Sequence, residues 1–151
     1  MMNRRALLLA SVPLLLTPLV ARNASAHSFI LGAIEIGHPW AKPSATEAAA
    51  LFMAFDNTGV KPDRLISATT PIATAVIFRD RGGDPVEYFE LRPNRPLPLR
   101  PGGRYIALHG LTKPLAIDDE FPLTLNFAEA HSITVTVVVE PGPEEPGTLT
   151  P

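Results

Sequence analysis

Between residues 122 and 140 apolar and polar side chains alternate with a period of two. Leu123, Leu125 and Phe127 fall on one side, with Thr124 and Asn126 on the other; beyond a break, Ile133, Val135 and Val137 oppose Thr134 and Thr136. Successive side chains of a strand point to opposite faces, so this pattern predicts two strands whose apolar faces meet in a core. Comparable runs rich in β-branched and aromatic residues recur between Gly, Pro, Asn and Asp. They are Phe29 to Ile36, Ala50 to Asp56, Leu65 to Thr70, Ala73 to Arg79, Val86 to Leu91, Arg104 to Leu108, Pro122 to Phe127 and Ser132 to Glu140. Eight short strands with that punctuation predict an all-β fold closed as a Greek-key β-sandwich. Helix-favouring composition is confined to Ala45 to Ala50, one turn or two.

The two ends of the chain follow other rules. Arg4 and Arg5, an apolar run from Ala6 to Val20, and Ala24-Ser25-Ala26 together read as an export signal of residues 1–26, cleaved to leave His27 first. The run is too short for a spanning helix, and Pro13 and Pro18 interrupt it, so no membrane insertion is expected after cleavage. At the other end, Pro141-Gly142-Pro143-Glu144-Glu145-Pro146-Gly147 has no apolar surface to bury, so residues 141–151 are expected to be a disordered tail. One domain, residues 27–140, remains, placed in the periplasm or outside the cell.

Composition narrows the chemistry. The export signal takes three of the thirteen basic residues and none of the fifteen acids, which leaves the mature chain at a net charge of −5. That balance disfavours a nucleic-acid partner. There is no cysteine, which excludes disulfides, thiolate catalysis and Cys-based metal sites. No Gly-rich phosphate loop, zinc-protease His-Glu motif or Gly-x-Ser-x-Gly elbow occurs, and the expectation is a protein that is not an enzyme.

Several stretches, read in order, carry a resemblance. Gly37-His38-Pro39-Trp40-Ala41, Ala50-Leu51-Phe52-Met53-Ala54-Phe55-Asp56-Asn57-Thr58-Gly59 and Asp63-Arg64-Leu65-Ile66-Ser67-Ala68 are followed by Pro101-Gly102-Gly103-Arg104-Tyr105-Ile106-Ala107-Leu108-His109-Gly110-Leu111 and Phe121 to Phe127. Together they resemble the PCu(A)C-type periplasmic copper chaperones, small exported cupredoxin-like β-sandwiches. The resemblance implies a cupredoxin-like fold and delivery of Cu(I) to a copper-acceptor protein of a respiratory oxidase. It also implies Cu(I) ligands in a His-x-Met pair on one strand, a further Met, and a second His-x-Met after the Pro-Gly-Gly turn. Thioether sulfur suits Cu(I), and alternate residues of a strand present two ligands to one ion.

The ligands themselves are absent. Phe78-Arg79-Asp80 stands at the first pair, Glu87-Tyr88-Phe89-Glu90 has no Met, and Tyr105-Ile106-Ala107 stands at the second pair. Met53, the one methionine after the export signal, lies in an apolar strand and reads as core filling. Arg79, Arg81 and Arg104 add positive potential to the same region. Among the remaining donors, His109 falls two residues past Ala107 on the same strand face, where the resemblance implies a further Met. His27, once first in the chain, would offer an α-amine and an imidazole, a nitrogen chelate suited to Cu(II), Ni(II) or Zn(II). His38 reads as structural: with residues 29–36 as one strand, it stands roughly 30 Å from His27. Trp40 reads as a core plug, and His131 as a solvated turn residue.

The expected metal ligands are therefore His109, His27 and Asp80, binding copper in a rebuilt nitrogen and carboxylate site. Two alternatives accompany this reading. One is a metal-free β-sandwich interaction module with Phe78, Tyr88, Phe89 and Tyr105 as an apolar patch on the old site. The other is a redox-active copper site at His27 with a second histidine close in space.

Overall fold

The computed structural model describes residues 28–142. The predicted export signal, His27 and the tail from residue 143 lie outside the described residues. Eleven strands and no helix make up the described chain. In order they are β1 (Ser28–Leu31), β2 (Ile34–Ala41), β3 (Ala48–Asn57), β4 (Asp63–Thr69), β5 (Ala73–Arg79), β6 (Pro85–Val86), β7 (Phe89–Leu91), β8 (Leu97–Pro98), β9 (Tyr105–Leu111), β10 (Glu120–Phe127) and β11 (His131–Val139). Hydrogen bonds link them along one path, β6-β5-β9-β3-β2-β11-β10-β4-β7, with β1 added on β2 and β8 on β3. The path curls into a nearly closed, barrel-like sandwich. Every strand pairing is antiparallel except β2 with β11, where Val138 and Val139 run alongside Trp40 and Ala41.

The period-two pattern explains where the core sits. Leu123 and Leu125 of β10 and Val135 and Val137 of β11 are at most 1% exposed, as are Leu65 of β4 and Ile36, Leu51, Phe55, Ile106 and Leu108 of the facing layer. The predicted faces pair across the β10–β11 hairpin, Leu123 beside Val135 and Leu125 beside Ile133. Met53 and Trp40 are buried, and Trp40 packs on Phe52 with ring centres 4.7 Å apart.

Three predicted elements fold otherwise. The run Phe29 to Ile36 is a hairpin rather than one strand: Ser28 pairs with Gly37 and Leu31 with Ile34. Gly32, at φ +58°, makes the reversal that a residue with a Cβ would resist. The predicted helical turn at Ala45 to Ala50 is instead the entry to β3, where Ala48, Ala49 and Ala50 pair with His109, Leu108 and Ala107. The Ser44 hydroxyl accepts from the Thr46 amide, and the Thr46 hydroxyl donates to the Ala48 carbonyl, bonds that compete with helix formation. Finally, Val86 to Leu91 splits. Val86 pairs with Phe78 on β5, whereas Phe89 pairs with Leu65 on β4, because the segment crosses from one layer to the other. The short strand β8, pairing with Ala54 and Phe55, has no period-two signature.

Asp63 ties the layers' ends together. It is 5% exposed, and its carboxylate accepts hydrogen bonds from the backbone N–H groups of Arg64, Glu129 and Ala130, pinning the β10–β11 turn to the start of β4. Truncation leaves those donors unpaired, so Asp63→Ala is expected to cost about 2 kcal/mol in urea unfolding. Asp63→Asn, which keeps an acceptor oxygen, is expected to recover part of the loss.

Candidate metal centre

The face that the resemblance assigns to Cu(I) is built by β5 and β9. Their register sets Arg79 opposite Tyr105, Ile77 opposite Ala107 and Ala75 opposite His109. Residues that face one another in an antiparallel pair share a side of the sheet, so Arg79, rather than Phe78, stands beside Tyr105. Phe78 is 5% exposed and stacks on Phe89 in the core, ring centres 5.0 Å apart.

A guanidinium spans this face. Arg79 donates from Nη1 to the Gly83 carbonyl at 3.0 Å, and its Nη2 lies 3.5 Å from His109 Nε2. The second contact is long, yet it sets a fixed positive charge against the ring nitrogen that would bind a metal. Asp80 is committed elsewhere. Its Oδ1 accepts from the N–H groups of Gly82 and Asp84, both at 2.9 Å, and so caps the turn between β5 and β6. Asp80 follows Arg79 at one end of the strand pair while His109 sits opposite Ala75 near the other. Five residues of strand, roughly 16 Å, separate the two positions along the sheet. The structure thus keeps His109 and Asp80 apart. Among the described residues no three of His, Asp and Glu converge into a metal-holding group.

Asp80 instead borders an open cleft of about 670 Å³, with Glu87, Tyr88, Glu90, Arg92 and Arg104 on its walls. Its charges are partly paired, Arg92 with Glu90 at 3.3 Å. The aromatic patch of the interaction-module alternative does not form, since Phe78 and Phe89 are buried and only Tyr88 is well exposed, with Arg64 over its ring at 4.5 Å.

His38 occupies a different place from the one expected. The register of β2 against β3 shifts between Gly37 and Trp40, and within this bulge His38 takes φ +46°, a conformation sparsely used by residues other than glycine. Its Nε2 lies 2.9 Å from Oε2 of Glu140, 102 residues away, and both side chains keep solvent access. The single strand expected between His27 and His38 does not form, because β1 folds back on β2 and brings Ser28 opposite Gly37. Glu140 is the residue sequence reasoning missed; it was visible only as a strand end. His27 lies outside the described residues.

Three comparisons bear on this arrangement. Residues 34–139 match the family model described as "Putative lipoprotein LpqE-like". A curated relative from Leifsonia xyli subsp. xyli, named "Putative lipoprotein Lxx21020", is 25% identical over 115 residues, 71% of this chain and 69% of the relative. Among solved structures, the copper-bound PCuAC domain from PmoF2 superposes with a TM-score of 0.71 at 28% identity, covering 78% of this chain and 99% of that domain. The apo PCuAC domain from PmoF1 gives 0.69 at 25%, covering 78% and 100%. Cu(I)-bound DR1885 from Deinococcus radiodurans gives 0.60 at 22%, covering 80% and 85%, a likeness of fold.

Proposed function

Because the chain belongs to the LpqE-like family and has the fold of PCuAC domains, we propose that it is an exported, non-enzymatic copper-chaperone-like protein with an altered copper site. In this reading the ligands are nitrogen and carboxylate oxygen, the ion is Cu(II), and the recipient is a copper-acceptor protein of a respiratory oxidase. The observation that carries it is the β5–β9 register: Arg79, Tyr105, Ala107 and His109 stand together where a Cu(I) carrier needs thioether sulfur. What persists is a fold 28% identical to a copper-bound domain, together with imidazole and carboxylate donors.

Export is supported by the signal-like residues 1–26 and by the lipoprotein designation of the family and of the relative. The 151 residues contain no cysteine to carry a lipid. No helix of the described residues is long and apolar enough to cross a membrane.

Calorimetric titration of protein beginning at His27, with Cu(I) under reducing conditions and Cu(II) under oxidising ones, tests the reading. The expected result is Cu(II) binding tighter than micromolar and Cu(I) binding weaker than micromolar. If neither ion binds more tightly than micromolar, the copper reading fails.

A further inference from the structure

Two registers define the outer face of β3, β9 and β5. Ala48 pairs with His109 and Ala50 with Ala107, and on the other side of β9 His109 pairs with Ala75, Ala107 with Ile77 and Tyr105 with Arg79. Alternate residues of a strand share a side, so these side chains stand together on one face. No acidic residue occurs in 48–52, 75–79 or 105–109, although acids outnumber bases in the chain as a whole. Lys42 adds a further cation, its Nζ 6.0 Å from the centre of the Phe52 ring, and that ring lies 6.5 Å from the ring of Tyr105.

The charge of Arg79 is unanswered on this face. Its side chain is half-buried, yet the ion pairs found among the described residues are His38 with Glu140 and Arg92 with Glu90. A guanidinium taken partly out of water is normally matched by an anion. The neighbouring carboxylate, Asp80, is turned instead to the Gly82 and Asp84 amides. With Nη1 fixed on the Gly83 carbonyl, Nη2 is held 3.5 Å from His109 Nε2, beyond the usual length of a hydrogen bond. Two nitrogens at that separation can both donate to one anionic oxygen about 2.8 Å from each. The imidazole tautomer with its hydrogen on Nε2 then donates beside the guanidinium rather than accepting from it.

We propose that this face docks an acidic, extended segment of a partner protein, with one Asp or Glu carboxylate held between Arg79 Nη2 and His109 Nε2. The planar fork of arginine matches a carboxylate, and its anchorage on Gly83 settles part of the ordering cost in advance. The surroundings suit a chain rather than a free ion: Tyr105, Ile77, Ala48 and Ala75 offer accessible apolar ground for the residues beside the carboxylate, and Lys42 a second charge. An anionic membrane is a poorer match, because the acidic chain as a whole is repelled by it. No metal takes part, so the inference goes beyond the copper reading and does not depend on it.

Nuclear magnetic resonance titration of protein beginning at His27 tests the proposal. The probes are a capped Gly-Leu-Glu-Leu-Glu-Gly peptide, its Gln counterpart, inorganic phosphate and vesicles of phosphatidylglycerol. The Glu peptide is expected to shift the Arg79 side-chain and His109 ring signals with a Kd below about 1 mM. The Gln peptide is expected to bind at least roughly 10-fold more weakly, the scale of a charge-assisted hydrogen bond. Arg79→Gln should lose the same factor, and Arg79→Lys, which keeps the charge without the fork, part of it. Lys113→Gln, which removes a charge beyond the other end of β9, should stay within about twofold, since distant exposed charges are screened. Melting curves check that each variant folds, and Arg79→Lys carries the test if Arg79→Gln does not. Equal affinity for the two peptides, or unchanged affinity in the folded Arg79 variants, overturns the proposal. So does binding of phosphate or vesicles without binding of the Glu peptide, or self-association that covers the face. Absence of a saturable shift with the Glu peptide overturns it as well, and none of these outcomes decides the Cu(II) titration.

Discussion

Gly110→Ala is expected to destabilise the domain by about 3 kcal/mol and to lower its melting temperature by roughly 10 °C. Gly110 lies in β9 at φ +66°, and a Cβ there would overlap Thr74 Oγ1 and come within 3.1 Å of Thr74 Cβ and 3.2 Å of Thr74 Cγ2. Two costs combine. An alanine held in the left-handed region loses about 1 kcal/mol against glycine. The clash cannot be relieved by rotating Thr74, because its own Cβ is already within reach and both branches of the side chain crowd the site. Rotation would also break the hydrogen bond from Thr74 Oγ1 to the His109 carbonyl. The remaining route is separation of β5 from β9, which disturbs the Val76–Leu108 and Ala75–His109 pairs. Thermal unfolding followed by circular dichroism measures the cost. Thr74→Ala in the Gly110→Ala background should return the share due to Oγ1 and Cγ2 and leave the backbone share and the Cβ contact. A single variant melting within about 2 °C of the parent would show that the β5–β9 contact is looser than the structure has it.

The parts of the fold legible in the sequence were those governed by one period and one boundary. The alternation of Leu123, Leu125 and Phe127 against Val135 and Val137 fixes two core strands, because a one-residue slip would turn every one of those side chains to solvent. The first hairpin was not legible in the same way. Phe29, Ile30 and Leu31 are apolar in succession, as are Ile34 and Ile36, and only the left-handed Gly32 between them marks the reversal. The alanines at 48–50 favour a helix by propensity, but β9 offers them a strand partner, and tertiary pairing decides. Of the candidate site, the loss of sulfur ligands was plain from composition, whereas the displacement of Phe78 by Arg79 on the metal face needed the register. The approach of His38 to Glu140 joins residues 102 apart through a bulge and a parallel pairing, and no local pattern encodes it.

Rebuilding the thioether site should return Cu(I) binding to the β5–β9 face. The triple variant Arg79→His, Tyr105→His, Ala107→Met sets imidazoles at two positions that already face each other, with a sulfur two residues along the same strand face. Cu(I) prefers such a soft set, and affinity is expected to rise by at least roughly 100-fold over the parent chain, about 2.7 kcal/mol. The arginine is the decisive change. With its guanidinium anchored on the Gly83 carbonyl and 3.5 Å from His109, a cation bound about 4 Å away would be opposed by about 4 kcal/mol near the protein surface. The double variant that keeps Arg79 is therefore expected to gain almost nothing, although it supplies a complete His-x-Met pair. Met53 cannot substitute for the added sulfur, since it is 2% exposed within the core. Competition for Cu(I) with a chromophoric chelator reads all three proteins on one scale, and melting curves confirm that Ala107→Met, at a position only 5% exposed, leaves the sandwich folded. Equal Cu(I) affinity in the double and triple variants would remove Arg79 from its blocking role. A folded triple variant no better than the parent would show that the strand register alone does not suffice to recreate the site.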